Sequence, residues 1–246
     1  ISFEKCIEDI ASAGFTGSEI GNKYPRDPDI LKTALEQRGL QISSAWFSTF
    51  FSEKGQNIET VDKYVEHMNF LKAMGASVVN VCECGHSVQM GSGYVFDRPQ
   101  YSDEQWHQVA QGLDLIGEIA LQNGMINAYH YHIGTMVQNL EETDRLMKLT
   151  NPSLVHLLLD TGHSYYAGDD PLSILRKYGP RIRNVHLKDI RQEILDIVHS
   201  GKMSFLDSVK AGVFTVPGDG CIDFSPMFKA LAEEGYQGWF VVEAEQ

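Results

Sequence analysis

The stretch Leu157-Leu158-Leu159-Asp160-Thr161-Gly162-His163 decides the fold of this chain. It closes a largely apolar run, Leu154–Leu159, that is too short for a typical helix and predicts a strand buried on both faces. Ligands gather at the carboxyl ends of strands in parallel sheets, and Asp160 and His163 follow such an end. Two interpretations stay open: the pair faces a ligand or metal ion, or Asp160 caps the next helix beside a surface histidine.

The same alternation of strand and helix runs along the whole chain. Apolar runs bounded by turn residues predict seven strands, at Phe15–Ile20, Leu40–Trp46, Ser77–Cys82, Met125–Tyr131, Leu154–Leu159, Ile182–Leu187 and Trp239–Glu243. Amphipathic patterns predict helices at Ser2–Ala13, Asp29–Arg38, Ile58–Met74, Asp103–Gln122, Glu141–Leu149, Pro171–Tyr178 and Ser225–Glu234. A polar loop is predicted over 83–98 and an irregular insertion over 190–224.

This alternation predicts one α/β domain, residues 1–246, built on a parallel sheet. The length and pattern favour a (β/α)8 TIM barrel whose first strand is expected upstream of Ile1. A doubly wound open sheet is the competing architecture. No Gly-x-Gly-x-x-Gly motif follows any predicted strand, so the sequence gives no support for nucleotide binding.

Composition excludes several classes of partner. The net charge of -13 disfavours nucleic acid and anionic lipid surfaces, and no apolar run is long enough to cross a membrane. Only four cysteines are present, and their spacing suggests neither a zinc site nor a disulfide framework. Reduced thiols and a cytoplasmic location are therefore expected, and a homo-oligomer is compatible with the composition.

Charged or imidazole side chains fall at five of the seven predicted strand ends. They are Glu19, His130 with His132, Asp160 with His163, His186 with Lys188 and Asp189, and Glu243. Strands emerge into solvent at their ends, so isolated polar groups there carry little information. A mixed set of carboxylates and imidazoles, however, predicts a site for one divalent ion, for which Mn²⁺ or Co²⁺ fits best.

Six segments carry a more specific signal. They are Gly-Ser-Glu-Ile-Gly-Asn-Lys-Tyr-Pro (17–25), Tyr-His-Tyr-His-Ile-Gly-Thr (129–135), Leu-Asp-Thr-Gly-His (159–163), Val-His-Leu-Lys-Asp (185–189), Val-Pro-Gly-Asp-Gly (216–220) and Val-Glu-Ala-Glu-Gln (242–246). They resemble the successive motifs of the xylose-isomerase-like barrel superfamily and, within it, the inosose dehydratases of myo-inositol catabolism. The resemblance covers nearly the whole chain, although the family's first strand is absent and relatives continue beyond Glu243.

The resemblance implies a set of metal ligands. In the superfamily, Glu, Asp, His and Glu from the last four strands hold one divalent ion, and Asp160, His186 and Glu243 fall on three of these positions. The strand that usually supplies the first Glu ends here in His130, so Glu142 at the start of the next helix is the expected fourth ligand. The alternative for Glu142 is a helix-start pair with Asn139.

Other residues are expected to act on the substrate. His163 and Lys188 are the candidate acid and base. A desolvated lysine near a metal-bound carbonyl has a lowered pKa and can act as a base, or it can stabilise the oxyanion charge that develops. The alternative for Lys188 is a surface ion pair with Asp189. Glu19, His132 and His86 are expected to contact a polyol, with His132 also suited to support a metal ligand.

The resemblance implies a metal-dependent hydro-lyase that dehydrates 2-keto-myo-inositol to a trihydroxycyclohexane-1,2-dione. Removal of the α-proton would give an enediolate, and loss of the β-hydroxyl would complete the elimination. Reprotonation of the same enediolate would instead make the chain a ketose isomerase or epimerase. A non-catalytic polyol-binding barrel is the alternative from another class, and the negative charge disfavours phosphodiester hydrolysis.

Overall fold

The computed structural model describes residues 1–245. Its strands are β1 Gly17–Ser18, β2 Gln41–Ile42, β3 Trp46–Thr49, β4 Val78–Glu83, β5 Ile126–His130, β6 Val155–Asp160, β7 Ile182–Leu187, β8 Asp189–Ile190, β9 Phe214–Thr215 and β10 Phe240–Val242. Its α-helices are α1 Phe3–Ser12, α2 Pro28–Glu36, α3 Asn57–Ala73, α4 Asp103–Gln122, α5 Leu140–Leu149, α6 Thr161–Tyr166, α7 Pro171–Tyr178, α8 Gln192–Gly201, α9 Phe205–Lys210 and α10 Ser225–Glu233. A 3-10 turn, Gly179–Arg181, leads into β7.

Six strands form a parallel sheet in the order β3-β4-β5-β6-β7-β10, and β1 pairs with β2 in parallel. Backbone bonds from Ser43 N to Ser18 O (3.1 Å) and from Asn80 N to Ala45 O (3.0 Å) carry the pairing across residues 43–45. The two sheets therefore form one curved wall whose strands follow chain order. Because helices lie between successive parallel strands, the predicted barrel-type α/β fold is confirmed.

Both faces of this wall are buried, as the Leu154–Leu159 run predicted. Leu157 and Leu159 belong to the main apolar core, which lies on the same side of the wall as the helices. Leu158 points to the other face, where it packs with Val78 and Ala128 in a small inner cluster. The alternation of side chains along a strand places Asp160, two residues after Leu158, on this inner face.

A groove separates β10 from β1, and no strand of residues 1–245 lies between them. Its volume is about 320 Å³, and its walls include Phe15, Phe240 and Val242. At Gly17 a Cβ atom would lie 2.7 Å from the Trp239 ring. The missing side chain of Gly17 therefore lets Trp239 bridge the two sides of the groove.

The structure corrects two predictions of secondary structure. The predicted strand Leu40–Trp46 is divided into β2 and β3, which pair with different neighbours. The insertion predicted to be irregular contains α8, α9 and the antiparallel pair β8–β9. Asp189 organises it, because its carboxylate accepts hydrogen bonds from the N–H groups of Ile190, Gly218, Gly220 and Ile222. No helix in the described part of the chain is long and apolar enough to cross a membrane.

Candidate active site

Asp160 lies at the centre of a buried polar cluster at the carboxyl ends of the strands. Its Oδ1 accepts the N–H of His163 (2.8 Å) and so caps α6. Its Oδ2 lies 3.2 Å from His130 Nε2, 3.6 Å from His186 Nδ1 and 3.6 Å from Lys188 Nζ. One oxygen of Asp160 therefore caps a helix, as the second interpretation predicted, but His163 is fully buried and does not lie at the surface.

His186, at the carboxyl end of β7, links two further carboxylates. Its Nδ1 lies 3.0 Å from Glu243 Oε2, and its Nε2 lies 3.0 Å from Glu19 Oε1. Burial lowers the pKa of His186, but Glu19 and Asp160 reverse the effect and raise it well above the ordinary 6.5. In the absence of an ion, this imidazole is therefore charged and bonded on both sides.

A layer of polar side chains inside the barrel supports Glu19. Its Oε1 accepts bonds from Ser44 Oγ (2.5 Å) and Asn80 Nδ2 (2.6 Å). Asn184, on the opposite side of the barrel, donates to Ser44 and to Asn80 Oδ1. Because each of these groups is buried and satisfied by the others, the layer fixes the position of Glu19 relative to His186.

Lys188 and His163 meet inside the cluster. Lys188 Nζ lies 3.1 Å from His163 Nε2, and the lysine side chain is 1% exposed. Burial lowers the pKa of Lys188, but Asp160, Glu243 and Glu245 together raise it above its ordinary value. Burial, with His132 and Lys188 nearby, lowers the pKa of His163 well below 6.5. The ammonium of Lys188 therefore donates to a neutral His163. The ion pair between Lys188 and Asp189 that the sequence left open is not formed, since Asp189 binds backbone N–H groups.

His132 lies beside this pair. Its ring centroid is 3.8 Å from that of His163, and its Nδ1 is 2.8 Å from the carbonyl of Ile133. The contact with Ile133 fits a proton on Nδ1 of His132. The other ring nitrogen, Nε2, lies 3.9 Å from Glu245 Oε1. Trp46 packs edge-to-face against both His130 and His132, with ring centroids 5.2 and 5.4 Å apart. The arrangement combines an aromatic wall with polar groups, which suits a polyol.

Three sets of side chains in the described chain bring ligand atoms within 4.8 Å of one another, close enough to hold a metal ion. They are Asp160 with His186 and Glu243, His130 with Asp160 and His163, and His132 with His163 and Glu245. The first contains the three ligands matched by the resemblance. His130 adds an imidazole whose Nδ1 is buried without a hydrogen-bond partner. Carboxylate and imidazole donors that converge on one point fit a divalent cation.

The structure does not bring Glu142 to these sets. Its carboxylate pairs with Arg98 and accepts the N–H of Gln138 (2.9 Å). Its own N–H donates to Asn139 Oδ1 (2.9 Å), which is the helix-start arrangement. Glu142 therefore belongs to a separate network that joins the loop at Arg98 to the start of α5.

His86 also lies outside the cluster in the contacts of residues 1–245. It is exposed, its φ is +57°, and its ring centroid is 6.4 Å from that of Tyr101. Its N–H lies 3.3 Å from Glu53 Oε1. A role for His86 in binding substrate stays a prediction that depends on the position of the 83–98 loop.

Sequence reasoning missed Glu245. Its Oε2 lies 2.8 Å from Lys188 Nζ and 3.8 Å from His163 Nε2. A signal was present, because Glu243 and Glu245 are two residues apart at a strand end, the same spacing that relates His186 to Lys188. The inner polar residues Ser44, Asn80 and Asn184 were missed as well, although Asn80 interrupts the apolar run of β4.

Comparison with known proteins defines the class of this chain. A profile of the family described as "Xylose isomerase-like TIM barrel" matches residues 7–246. The crystal structure of the IolI protein with a bound zinc atom superposes with a TM-score of 0.76 at 18% identity, covering 100% of this chain and 85% of that one. The chain belongs to the xylose isomerase-like TIM barrels.

Sequence relatives narrow this assignment. The chain is 52% identical to an inosose dehydratase of Bacillus anthracis over 247 residues, covering 100% of this chain and 83% of the relative. It is 52% identical to an inosose dehydratase of Yersinia enterocolitica over 249 residues, with the same coverage. Within its class, the chain therefore groups with the inosose dehydratases, as the resemblance predicted.

Proposed function

We propose that this chain is a metal-dependent hydro-lyase that removes water from 2-keto-myo-inositol and yields a trihydroxycyclohexane-1,2-dione. Relatives named for inosose dehydration match its whole length at 52% identity. The observation that carries the proposal is the 3.1 Å contact between Lys188 and His163 beside the Asp160 set. An elimination needs both a base and an acid, and this contact joins two such groups next to a site for a divalent ion.

The ion would be held by Asp160, His186 and Glu243, with His130 as the fourth ligand in place of Glu142. His130 Nε2 lies 3.2 Å from Asp160 Oδ2, whereas Glu142 is engaged by Arg98. Mn²⁺ or Co²⁺ suits this oxygen and nitrogen set. When bound, such an ion supplies Lewis acidity that polarises a ketone and acidifies the adjoining C–H group.

The two proton-transfer groups have complementary states. Neutral His163 takes the α-proton, and the Lys188 ammonium gives a proton to the departing hydroxyl, which leaves as water. The proton on His163 then returns to Lys188 across their contact, so both groups are restored without an external acid or base. The opposite assignment of base and acid exchanges the two residues and is distinguished by the isotope experiment in the Discussion.

The remaining polar groups would orient the substrate. Glu19 and His132 lie on the inner face beside the candidate ligands, and the Trp46 ring offers a flat apolar surface to the C–H face of a cyclitol. His86 would reach the substrate only through the exposed loop. All four cysteines are free thiols, which supports a reducing, cytoplasmic location. A homo-oligomer without nucleic-acid or membrane partners completes the proposal.

Incubation of the purified protein with 2-keto-myo-inositol and Mn²⁺ or Co²⁺ tests the function directly. We expect the ultraviolet absorption of a dione to appear, and to stop increasing when the ion is chelated. An epimerase or isomerase would exchange the substrate α-proton with solvent deuterium and release no water. A protein that binds the polyol with neither exchange nor dione formation would contradict the enzymatic proposal.

A further inference from the structure

Lys188 lies between carboxylates of two kinds. Glu243 Oε2 (3.2 Å) and Asp160 Oδ2 (3.6 Å) belong to the set with His186, whereas Glu245 (Oε2 at 2.8 Å) belongs to the separate set with His132 and His163. An ammonium group and a divalent cation both bind carboxylate oxygens. Lys188 is therefore a built-in competitor for the oxygens that would hold the ion.

The stem of Lys188 has little freedom to move. A Cβ atom at Gly162 would lie 2.7 Å from Lys188 Cγ, so the stem runs directly over the Gly162 backbone. The hydroxyl of Thr161 accepts the Lys188 N–H (2.9 Å) and donates to the Lys188 carbonyl (2.7 Å). Only the terminal ammonium is free to reorient, so the nearest acceptors determine the directions of its three N–H groups.

Glu245 provides the nearest of these acceptors. The backbone φ of Glu245 is +41°, in the left-handed region that residues other than glycine rarely adopt. In this conformation the Glu245 carboxylate reaches Lys188. Together with His163 Nε2 at 3.1 Å, Glu245 is closer to the ammonium than Glu243 (3.2 Å) and Asp160 (3.6 Å) are. Removal of the Glu245 charge would leave Glu243 and Asp160 as the anions nearest to the ammonium.

We propose that Glu245 is a positioning residue that draws the Lys188 ammonium toward itself in competition with Asp160 and Glu243, and so keeps these two carboxylates available to a divalent cation. This inference rests on the metal site of the proposed function. It predicts that Glu245 affects ion binding only through Lys188. A metal ligand or a purely structural residue would not behave in this way.

Titration calorimetry of the metal-free protein with MnCl₂ at one neutral pH tests the inference without any turnover. Glu245→Gln should weaken Mn²⁺ binding roughly 10-fold to 100-fold, the usual range for groups that support metal ligands. Lys188→Met should bind at least as tightly as the wild type. The double variant should regain the affinity of Lys188→Met, and Glu245→Asp, which keeps the charge, should stay closer to the wild type than Glu245→Gln.

Glu59→Gln and Lys63→Met provide matched controls, because they remove an exposed i,i+4 ion pair on α3. Both should bind Mn²⁺ as the wild type does. Wild-type affinity in Glu245→Gln would overturn the inference. A double variant as weak as Glu245→Gln alone would overturn it too, by showing that Glu245 acts without Lys188. If the wild type shows no Mn²⁺ binding that depends on Asp160, the proposed metal site itself is wrong and the inference falls with it.

Discussion

Strands β4 and β6 each end in a fully buried carboxylate, Glu83 and Asp160, yet the two have opposite surroundings. Glu83 accepts five hydrogen bonds from neutral donors: the hydroxyls of Thr49 and Ser52 and the N–H groups of Phe51, Ser52 and Gly85. Asp160 uses one oxygen to cap a helix and turns the other toward His130, His186 and Lys188.

The difference shows that burial at a strand end does not by itself make a site. Burial raises the pKa of Glu83 and outweighs the hydrogen bonds that it accepts from Thr49, Ser52 and Phe51. Burial acts on Asp160 in the same direction, but the charge of Lys188, with hydrogen bonds from His130 and His186, outweighs it and holds the pKa well below 3.8. Glu83 therefore serves to hold the loops after β3 and β4 together, whereas Asp160 keeps an oxygen that a metal ion can use.

Asp160→Asn should produce the largest effect. The amide removes an anionic ligand atom, so Mn²⁺ retention should be lost and kcat/KM should fall by a factor on the order of 10³ or more. Calorimetry and the dione assay measure the two losses. A variant that keeps wild-type Mn²⁺ affinity would show that Asp160, like Glu83, has only a structural role.

His163→Ala and Lys188→Met should lose roughly 10²-fold to 10⁴-fold in rate while retaining the ion, because they remove proton transfer rather than metal ligands. Solvent deuterium exchange separates the two roles. The base variant should lose both exchange and elimination, whereas the acid variant should still exchange the α-proton and fail to expel water. Near-normal turnover in both variants would move the acid–base roles to His132 or Glu19.

Glu83→Gln should affect stability and spare the site. The amide nitrogen cannot accept hydrogen bonds from the surrounding donors, so the free energy of unfolding should fall by about 1–3 kcal/mol. Chemical denaturation measures this loss, and Mn²⁺ affinity should match the wild type. Weakened Mn²⁺ binding in a folded Glu83→Gln variant would contradict the division between the two carboxylates.

Glu142 is a third carboxylate to which the distinction between structural and ligand roles applies. Its contacts with Arg98 and Gln138 group it with Glu83, so Glu142→Ala should destabilise the fold by about 1–2 kcal/mol and leave Mn²⁺ affinity unchanged. A large loss of Mn²⁺ affinity would restore Glu142 as the fourth ligand and remove His130 from that role.

Much of the contrast between Glu83 and Asp160 was available from the sequence as alternation along a strand. Leu158 packs inside the barrel, so Asp160 faces inward, and Val81 packs toward the helices, so Glu83 faces outward. The apolar run of β6 therefore predicted the buried strand, and its polar end identified Asp160 as the candidate at its carboxyl end. The same alternation places Glu245, two residues after Glu243, on the same face of the chain as Glu243.

Other features depend on contacts distant in sequence. The sequence could not decide between a ligand role and a helix-start role for Glu142, because Arg98, which engages Glu142, lies 44 residues away from it. The helix α8 of the 190–224 insertion carried a local signal, because Ile194, Leu195 and Val198 have helical spacing, whereas the loop at 218–222 depends on Asp189, which lies outside the insertion. The division of the second predicted strand depends on which neighbours β2 and β3 pair with, and local propensity carries no such information.

Two buried imidazoles show the same contrast between charged and apolar surroundings, and the expected effect on stability is smaller. His186 faces carboxylates, whereas His67 lies against Phe47, and burial with the nearby Arg26 lowers its pKa to about 4. The unfolded chain binds this proton near the ordinary 6.5, so the stability linked to neutral His67 is present above that pH. It is lost as the pH falls from 6.5 toward 4, because the unfolded state then binds more protons than the native state.

His67→Gln should therefore flatten the loss of stability between pH 7 and pH 5 by about 1 kcal/mol, after allowance for the partial exposure of the ring. Denaturant titrations of the metal-free protein at the two pH values measure this difference. His107→Gln removes an exposed imidazole on α4 and serves as the matched control. If both variants keep the wild-type slope, burial of His67 does not contribute to the acid sensitivity. The carboxylates of the site would not account for that loss either, because their lowered pKa values confine their contribution to a more acidic range.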